Sequence, residues 1–150
     1  IASVSRYKNT VNLLLREFIP ADKSCLSTQS GVSIRPKPAF IDYSWVLAKK
    51  SKSSLIDFHT HPFSDRNVTF SGIDYRSEMD SFPEVVKYLG EGPHASIVLS
   101  PTGLDARWYN PKTRSFTQVT ALKIIGERLI IIVPTSARKL NLRSRQNAKV

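Results

Sequence analysis

Two histidines separated by one residue are the first side chains in this sequence that could do chemistry together. His59 and His61 end the segment from Ser54 to His61, whose composition is typical of a β-strand. Because side chains two residues apart on a strand point to the same face, both imidazoles can converge on one point. Neutral imidazole is a common metal ligand, so the pair is a candidate metal site, although strand histidines also serve in packing or along a polar rim.

Asp74 is the candidate for a third ligand. It lies in the first turn of a predicted helix that begins near Ser71, and Ser71 lies one turn before it on the same side. Three protein ligands with one position open to water make a catalytic zinc site, in which the ion lowers the pKa of the water to about 7 and polarises a carbonyl. The same spacing is also that of a helix N-cap with an acidic residue in its first turn, which is a purely structural alternative.

Considered together, the strings His59–Pro62 and Ser71–Asp74 resemble the JAMM signature of the JAB/MPN metalloproteases, a His-x-His-Pro string followed by a spacer and Ser-x-x-Asp. The nine-residue spacer is similar to that of bacterial JAB domains associated with ThiF-type, E1-like enzymes. The resemblance covers roughly residues 13 to 133. It implies the α/β fold class, with a single cytidine-deaminase-like domain whose mixed β-sheet is flanked by helices.

The resemblance also implies the function of these residues. His59, His61 and Asp74 would bind Zn²⁺, while the catalytic residue Ser71 would stabilise the oxyanion that forms on the attacked carbonyl. The chain would be a zinc-dependent isopeptidase, similar to a deubiquitinase, that hydrolyses an amide bond after the tail of a ubiquitin-like protein. Its partner would be a ubiquitin-like protein or a conjugate of one. The alternative is a non-catalytic MPN-like scaffold or protein-interaction domain.

The family also requires a catalytic base, a glutamate that precedes the first strand of an N-terminal hairpin. Glu17 is the nearest acidic residue, but it lies late in the second predicted strand and is expected to be a surface residue. If residues 1–7 form the first strand, the base belongs before Ile1. We therefore expect a domain whose N-terminus is truncated, and which binds zinc but hydrolyses little.

Composition bounds the remaining possibilities. The chain has 150 residues, of which 41% are hydrophobic and 23% charged, as in a globular domain. No apolar run approaches the roughly 20 residues needed to span a bilayer, so no membrane contact is expected. Cys25 is the one cysteine and has no assigned role; it excludes an internal disulfide, and with no signal peptide it favours the cytoplasm.

The basic charge is concentrated at the C-terminus. Five of the ten net positive charges come from a segment without acidic residues, which contains Arg138, Lys139, Arg143, Arg145 and Lys149. Residues 1–134 are therefore predicted to form the domain and residues 135–150 a basic tail or linker, and nucleic acid is not expected as a partner. The string Arg143–Gln146 resembles the entry to an adenylating domain, so a ThiF/E1-like domain is a candidate partner within the parent chain.

Hydrophobic patterning predicts the elements that position these residues. Residues 1–7 and 10–19 form a hairpin closed by Pro20, residues 31–35 a short strand, and the spacing of Ile41, Trp45 and Ala48 a helix. The segment from Ser71 to Leu89 is expected to be two short helices divided by Pro83, the second capped by Ser81. Strands follow at residues 94–100, 104–109, 115–119 and 127–133, with Leu129–Val133 a buried strand of the core.

Several other residues have weaker functional interpretations. His94 is expected at a polar rim rather than as a fourth ligand, and Trp108 and Tyr109 as one core and one edge aromatic. Asp57 could orient a histidine ligand or be satisfied by a backbone partner. Asp65 and Arg66, in the spacer loop, are candidate substrate contacts.

Overall fold

The computed structural model describes residues 1–30 and 34–147, and it is a mixed α/β structure, as the sequence predicts. Its elements, in chain order, are β1 (Ala2–Tyr7), β2 (Thr10–Leu15), a 3-10 turn (Lys23–Cys25), β3 (Leu26–Gln29), β4 (Ile34–Pro36), α1 (Pro38–Lys50), β5 (Ile56–Thr60), α2 (Gly72–Leu89), β6 (Ala95–Leu99), β7 (Leu104–Asn110), β8 (Ser115–Gln118), β9 (Leu122–Ile125), β10 (Leu129–Ile132) and α3 (Thr135–Asn147). Every described helix is too short or too polar to cross a membrane.

The chain divides into two compact units. The first comprises Ile1–Leu55 and Glu84–His94, and the second comprises Ile56–Pro83 and Ala95–Val150. The candidate metal ligands all belong to the second unit.

The first unit begins with the predicted hairpin, in which β1 and β2 pair antiparallel around a turn at Lys8, whose φ is 50°. β2 ends at Leu15, earlier than the pattern predicts, and β3 pairs with β4 in a ladder that the sequence did not reveal. Of the strand predicted at residues 31–35, Ile34 onwards is found in β4, while residues 31–33 lie outside the described residues.

Helix α1 confirms the prediction from the spacing of its apolar residues. Pro38 occupies its first turn, where a missing N–H is harmless, and Ala48 is fully buried. Near its C-terminus Lys49 Nζ donates to the carbonyl oxygen of Tyr88 at 2.9 Å and lies 4.2 Å from the centre of the Tyr88 ring. The Lys49 cation therefore lies at the negative, C-terminal end of helix α2, which ends at Leu89.

The second unit is built on a four-stranded sheet in the order β5-β6-β7-β8. β5 and β6 are parallel, whereas β6–β7 and β7–β8 are antiparallel. Directly opposed residues share a face, so one row across the sheet contains Asp57, Ser96, Arg107 and Gln118. The next row on that face contains His59, Val98 and Asp105.

Aromatic side chains form the core of the second unit. Phe82 stacks on Tyr109 with 5.6 Å between ring centres, and Phe116 meets both rings edge-on at 5.7 and 5.5 Å. Tyr109 is buried while Trp108 is half-buried, in agreement with the expectation of one core and one edge aromatic. These contacts hold α2 to β7 and β8.

Helix α2 does not break at Pro83, as the sequence led us to expect. It is one helix of 18 residues, with Pro83 in its interior and Ser81 exposed within it rather than capping a second helix. A proline deprives the helix of one hydrogen bond. Phe82 and Val85, on either side, are 4% exposed, and burial of such side chains offsets that loss.

The apolar segment Leu129–Ile132 is a strand, but the prediction that it is buried is wrong. Among the described strands it pairs only with β9, which was not predicted, in a two-stranded hairpin. Leu129, Ile130 and Ile131 are 59%, 52% and 55% exposed. An apolar run fits a buried strand only where other elements cover both of its faces. No described element covers this hairpin to that extent.

Residues 135–147 are helical, whereas the sequence predicted a tail or linker from residue 135. The first turn of α3 packs into the second unit: Ser136 donates from its backbone N to Asp105 Oδ1 at 3.0 Å and from Oγ to Oδ2 at 2.6 Å. The Asp105 carboxylate therefore caps the positive end of the helix. Arg138 and Lys139 are exposed, and the side chains of Arg143, Arg145 and Lys149 lie outside the described part of the chain.

A close backbone approach at Gly103 fixes the spacer loop between His61 and Ser71. A Cβ at Gly103 would lie 2.7 Å from the carbonyl oxygen of Arg66. Ser100 Oγ donates to the carbonyl of Asp65 at 2.6 Å, and Arg138 Nη2 donates to that of Arg66 at 3.0 Å. Asp65 and Arg66, the candidate substrate contacts, are thus held through their backbones.

We expect Gly103→Ala to lower the free energy of unfolding by about 1–3 kcal/mol, because the added carbon forces a backbone shift. Urea unfolding followed by circular dichroism measures this change. Gly126→Ala is the matched control, since nothing lies within 4 Å of its added carbon. Equal stability of the two variants would contradict the close approach.

Candidate metal centre

His59, His61 and Asp74 come together in the structure. His59 lies in β5, His61 directly follows that strand, and Asp74 is in the first turn of α2. Asp74 Oδ1 lies 3.5 Å from His59 Nε2, and Asp74 Oδ2 lies 3.3 Å from His61 Nε2. One nitrogen or oxygen from each residue falls within 4.8 Å of the others, so a single ion could contact all three.

The backbone around His61 explains how the second imidazole reaches this point. His61 N donates to the carbonyl of Leu99 at 2.7 Å, which prolongs the β5–β6 pairing by one residue. Ser64 N then donates to the carbonyl of His61 at 3.1 Å as the chain turns away. His61 is therefore held in the extended conformation of the strand, and the two histidines keep their common face.

Ser71 and Asp74 form a reciprocal helix cap. Ser71 N donates to Asp74 Oδ2 at 2.6 Å, and Asp74 N donates to Ser71 Oγ at 3.2 Å. These two bonds satisfy backbone N–H groups that a helix start leaves without partners. The helix cap that was the structural alternative is therefore present. It is compatible with a metal site, because Asp74 Oδ1 also faces His59 and Asp74 Oδ2 also faces His61.

The carboxylates around His59 stabilise its charged form. Burial by itself would lower the pKa of His59, but Asp57, Asp74 and Glu78 outweigh it and raise that pKa. For Asp74, burial works in the opposite direction to its hydrogen bonds with Ser71 and its attraction to His59 and His61, which together lower its pKa. The three residues thus form an electrostatically coupled group.

The donor set suits a borderline transition-metal ion such as Zn²⁺. It offers two imidazole nitrogens and one carboxylate, which is a ligand set of catalytic zinc sites. His59 Nε2 is buried and has no hydrogen-bond partner among the described residues. A buried polar atom without a partner is unusual, and a metal ligand is one explanation for it.

Asp57 lies behind His59, on the side away from Asp74. Its Oδ2 is 3.8 Å from His59 Nδ1, beyond hydrogen-bond distance, and its side chain is 58% exposed. Carboxylates in this position orient histidine ligands and fix their tautomer. At this distance the Asp57 carboxylate interacts with the His59 ring by charge and without a hydrogen bond, so the orienting role of Asp57 stays a prediction.

Glu78 and Arg107 are the residues near the site that the sequence interpretation missed. Arg107 Nε donates to Glu78 Oε2 at 2.9 Å, and Arg107 Nη2 lies 2.8 Å from the same oxygen. Burial raises the pKa of Glu78 against the opposing attraction of Arg107. The spacing of Asp74 and Glu78 in the sequence could have indicated Glu78, because residues four apart share one face of a helix.

A cavity of about 250 Å³ lies beside this pair. It is lined by Thr69, Phe70, Asp105, Ala106, Arg107, Phe116, Thr117, Gln118 and Ser136. Phe70 separates it from the candidate ligands, because the Phe70 ring meets the His59 ring edge-on at 5.8 Å. The cavity and the metal group therefore share one aromatic wall.

Other candidates from the sequence do not join the group. Glu17 is exposed and belongs to the first unit, and Cys25, also in the first unit, is a half-buried free thiol. His94 is 1% exposed, so the expectation that it lies at a rim is wrong. Leu55 N donates to His94 Nδ1 at 3.1 Å, and His94 Nε2 lies 3.1 Å from the carbonyl oxygen of Gly90.

The contacts of His94 predict a pH dependence of stability. Its Nδ1 accepts a hydrogen bond, so the neutral ring carries its proton on Nε2, and burial lowers its pKa below the ordinary value of 6.5. As pH falls below 6.5, His94 therefore binds a proton more readily in the unfolded chain than in the folded protein. The contribution of His94 to stability is present above pH 6.5 and is lost as pH falls towards its lowered pKa in the folded protein.

We expect His94→Gln, which keeps an acceptor for Leu55 N, to reduce the loss of stability between about pH 7.5 and about pH 5. Urea unfolding of metal-free protein at both pH values measures it. His59 contributes with the opposite sign, so the difference between variant and parent isolates His94. An unchanged pH dependence would contradict a neutral, buried His94.

Comparisons with known proteins give no relative from which the role of this site could be taken. No protein-family model, no curated protein and no solved structure matches this chain.

Proposed function

We propose that this chain is a zinc-dependent hydrolase of the JAMM type, an isopeptidase that cleaves the amide bond after the tail of a ubiquitin-like protein. The observation that carries the proposal is the convergence of His59, His61 and Asp74, with ligand atoms within 4.8 Å of one another. Three such ligands leave a position for water and substrate, which is the arrangement of catalytic rather than structural zinc sites.

The finer fold assignment, a JAB/MPN domain, belongs to the same proposal. Its support is the order of elements around the site: a strand that delivers both histidines, a helix that starts with Ser71 and Asp74, and a return strand parallel to the first. The motif alone supports the substrate class, and the single cysteine supports a cytoplasmic location. A ThiF-like domain as partner is proposed from the string Arg143–Gln146 alone.

A zinc ion held by these residues would polarise the scissile carbonyl and lower the pKa of a bound water. His59 and His61 would bind through Nε2, the atoms that face Asp74. Ser71 Oγ accepts a bond from Asp74 N and so keeps its own proton to donate. We propose that the Ser71 hydroxyl donates a hydrogen bond to the carbonyl oxygen as negative charge develops there, and that its proton stays on Oγ.

Phe70 gives the site an apolar wall. Its ring meets that of His59 and also lies 3.8 Å from the guanidinium carbon of Arg107. An apolar neighbour excludes water from one side of the imidazole, and electrostatic interactions strengthen where water is excluded. Phe70 would thus reinforce the attraction between the histidines and a bound cation only indirectly, through the local dielectric.

The test is release of a fluorophore linked by an amide bond to the C-terminus of ubiquitin, with the chain in excess over substrate so that slow turnover is visible. We expect release that stops with a zinc chelator, returns on addition of zinc and is lost in His59→Ala. His94→Gln, which alters a buried histidine outside the metal group, is the control. Undiminished release by His59→Ala would refute the proposal, and purified chain that holds no zinc would favour the scaffold.

A further inference from the structure

In the described part of the chain, the buried side-chain nitrogen and oxygen atoms that have no hydrogen-bond partner are concentrated in one place. They belong to five residues: His59, Glu78, Ser96, Arg107 and Gln118. Ser96, Arg107 and Gln118 form one row across β6, β7 and β8, and His59 lies on the same face of the sheet. Glu78 approaches this face from α2. Unsatisfied polar atoms tend to persist where function requires them, so the cluster as a whole calls for a functional explanation.

We infer that Glu78 and Arg107 are positioning residues for the metal centre, holding the first turns of α2, and with them Asp74, against the sheet face that carries His59. This inference rests on the proposed zinc site. Asp74 and Glu78 lie one turn apart on α2, so a shift of Glu78 moves Asp74 with it. Asp74 in turn touches both histidines, at 3.5 and 3.3 Å.

The contact between Glu78 and Arg107 restricts the orientation of both side chains. Both Nε and Nη2 of Arg107 approach one oxygen, Glu78 Oε2, at 2.9 and 2.8 Å. The centres of the Phe70 and Phe116 rings lie 3.8 and 4.2 Å from the guanidinium carbon. A guanidinium that donates one hydrogen bond from Nε, has Nη2 at ion-pair distance and contacts two rings has little freedom, and it restricts the carboxylate that it holds.

Stability alone does not account for the pair. Glu78 and Arg107 have side chains that are 7% and 12% exposed, and desolvation of two such charges offsets most of their attraction. Well-packed apolar residues would fill the same space at least as favourably. What an ion pair adds is a defined relative orientation of the two elements that carry it, here α2 and β7.

Glu78 is not assigned as a ligand or a base. It is not one of the residues whose atoms converge with those of His59, His61 and Asp74. Its Oε2 is already taken by Arg107. Its effect on the site is therefore exerted through the position of Asp74 relative to the two histidines.

Three variants test the inference, each as the full chain. Glu78→Gln keeps the shape but removes the charge, and Arg107→Lys keeps the charge but removes the two-nitrogen contact. Glu84→Gln is the control, because Glu84 lies on the same helix, is 61% exposed and pairs only with Lys87 among the described residues. Circular dichroism establishes that each variant is folded, and Arg107→Lys remains informative if Glu78→Gln is not.

Two measurements separate a positioning role from a structural one. In the parent loaded with Co²⁺ in place of Zn²⁺, the visible absorption reports the geometry of the ligands. We expect it to change in Glu78→Gln and in Arg107→Lys, with zinc affinity weakened by about 10- to 100-fold, whereas Glu84→Gln matches the parent. Spectra and affinities equal to those of the parent in both folded variants would overturn the inference while leaving the zinc hydrolase intact.

The second measurement needs no metal. Imidazole nitrogen shifts of His59, recorded at one pH in metal-free protein, are expected to differ from the parent in Glu78→Gln and Arg107→Lys but not in Glu84→Gln. If the parent binds no zinc, the proposed function fails, and these shifts still decide whether the pair sets the position of Asp74 against His59. Unchanged shifts would then overturn the positioning role as well.

Discussion

Asp74→Asn is expected to weaken zinc binding by on the order of 100-fold. Asp74 is the only anionic member of the candidate ligand group, and the amide that replaces it is a neutral, poorer ligand. Four-ligand structural sites bind zinc with about 10–16 kcal/mol, so one ligand is worth roughly 3 kcal/mol. At about 1.4 kcal/mol per tenfold change, that loss corresponds to about a hundredfold. Competition with a chromogenic chelator at neutral pH measures the dissociation constant.

The control for this prediction is Asp80→Asn. Asp80 is an exposed aspartate on the same helix and is outside the metal group, so the variant removes the same charge without removing a ligand. In Asp74→Asn the introduced amide still presents a side-chain oxygen to Ser71 N, so the helix cap is preserved and the comparison concerns the metal alone. Equal zinc affinities in the two variants would contradict the assignment of Asp74 as a ligand.

Phe82→Ala is expected to lower the free energy of unfolding by about 3–5 kcal/mol, the largest effect on stability that we predict. Phe82 is 4% exposed, stacks on Tyr109 and meets Phe116 edge-on. Truncation removes the burial of one ring, leaves a cavity and takes a partner from two aromatic pairs, whose geometry adds to the effect of buried area. Urea unfolding of metal-free protein provides the measurement.

Ile73→Ala is the matched control for the core. Ile73 lies on the same helix but is 65% exposed, so its truncation is expected to change stability by no more than about 0.5 kcal/mol. Comparison within one helix also cancels most of the effect of helix propensity, since both variants introduce alanine. A loss in Phe82→Ala as small as that in Ile73→Ala would mean that the aromatic cluster is not a core of the second unit.

The candidate metal group could be predicted from the sequence because its geometry is local. A spacing of two residues on an extended strand puts His59 and His61 on the same face. A spacing of three residues at the start of a helix puts Ser71 and Asp74 on the same side of that helix. Only the meeting of these two local pieces needed the tertiary structure, and the short spacer of nine residues limits how far apart they can lie.

The elements that were predicted wrongly depend on what surrounds them. The β10 segment is as apolar as a buried strand, but exposure depends on the neighbours that cover it, which a local pattern does not encode. Likewise Pro83 opposes a continuous α2, and tertiary burial of residues on either side overrides it. The helical conformation of α3 was not predicted from the sequence, because Asp105, which caps its first turn, lies 31 residues away from Ser136.

The sequence by itself determined the class of fold. It also determined the side chains available for chemistry, which are two imidazoles on a strand and a hydroxyl and a carboxylate at a helix start, and these make a candidate zinc site. Only the tertiary structure decided what surrounds that site. Glu78 and Arg107 are 29 residues apart, and they meet because the register of β5, β6 and β7 aligns Arg107 with Asp57 beneath α2. Strand register is a property of the assembled sheet, set by many weak contacts at once, and no short string of residues specifies it.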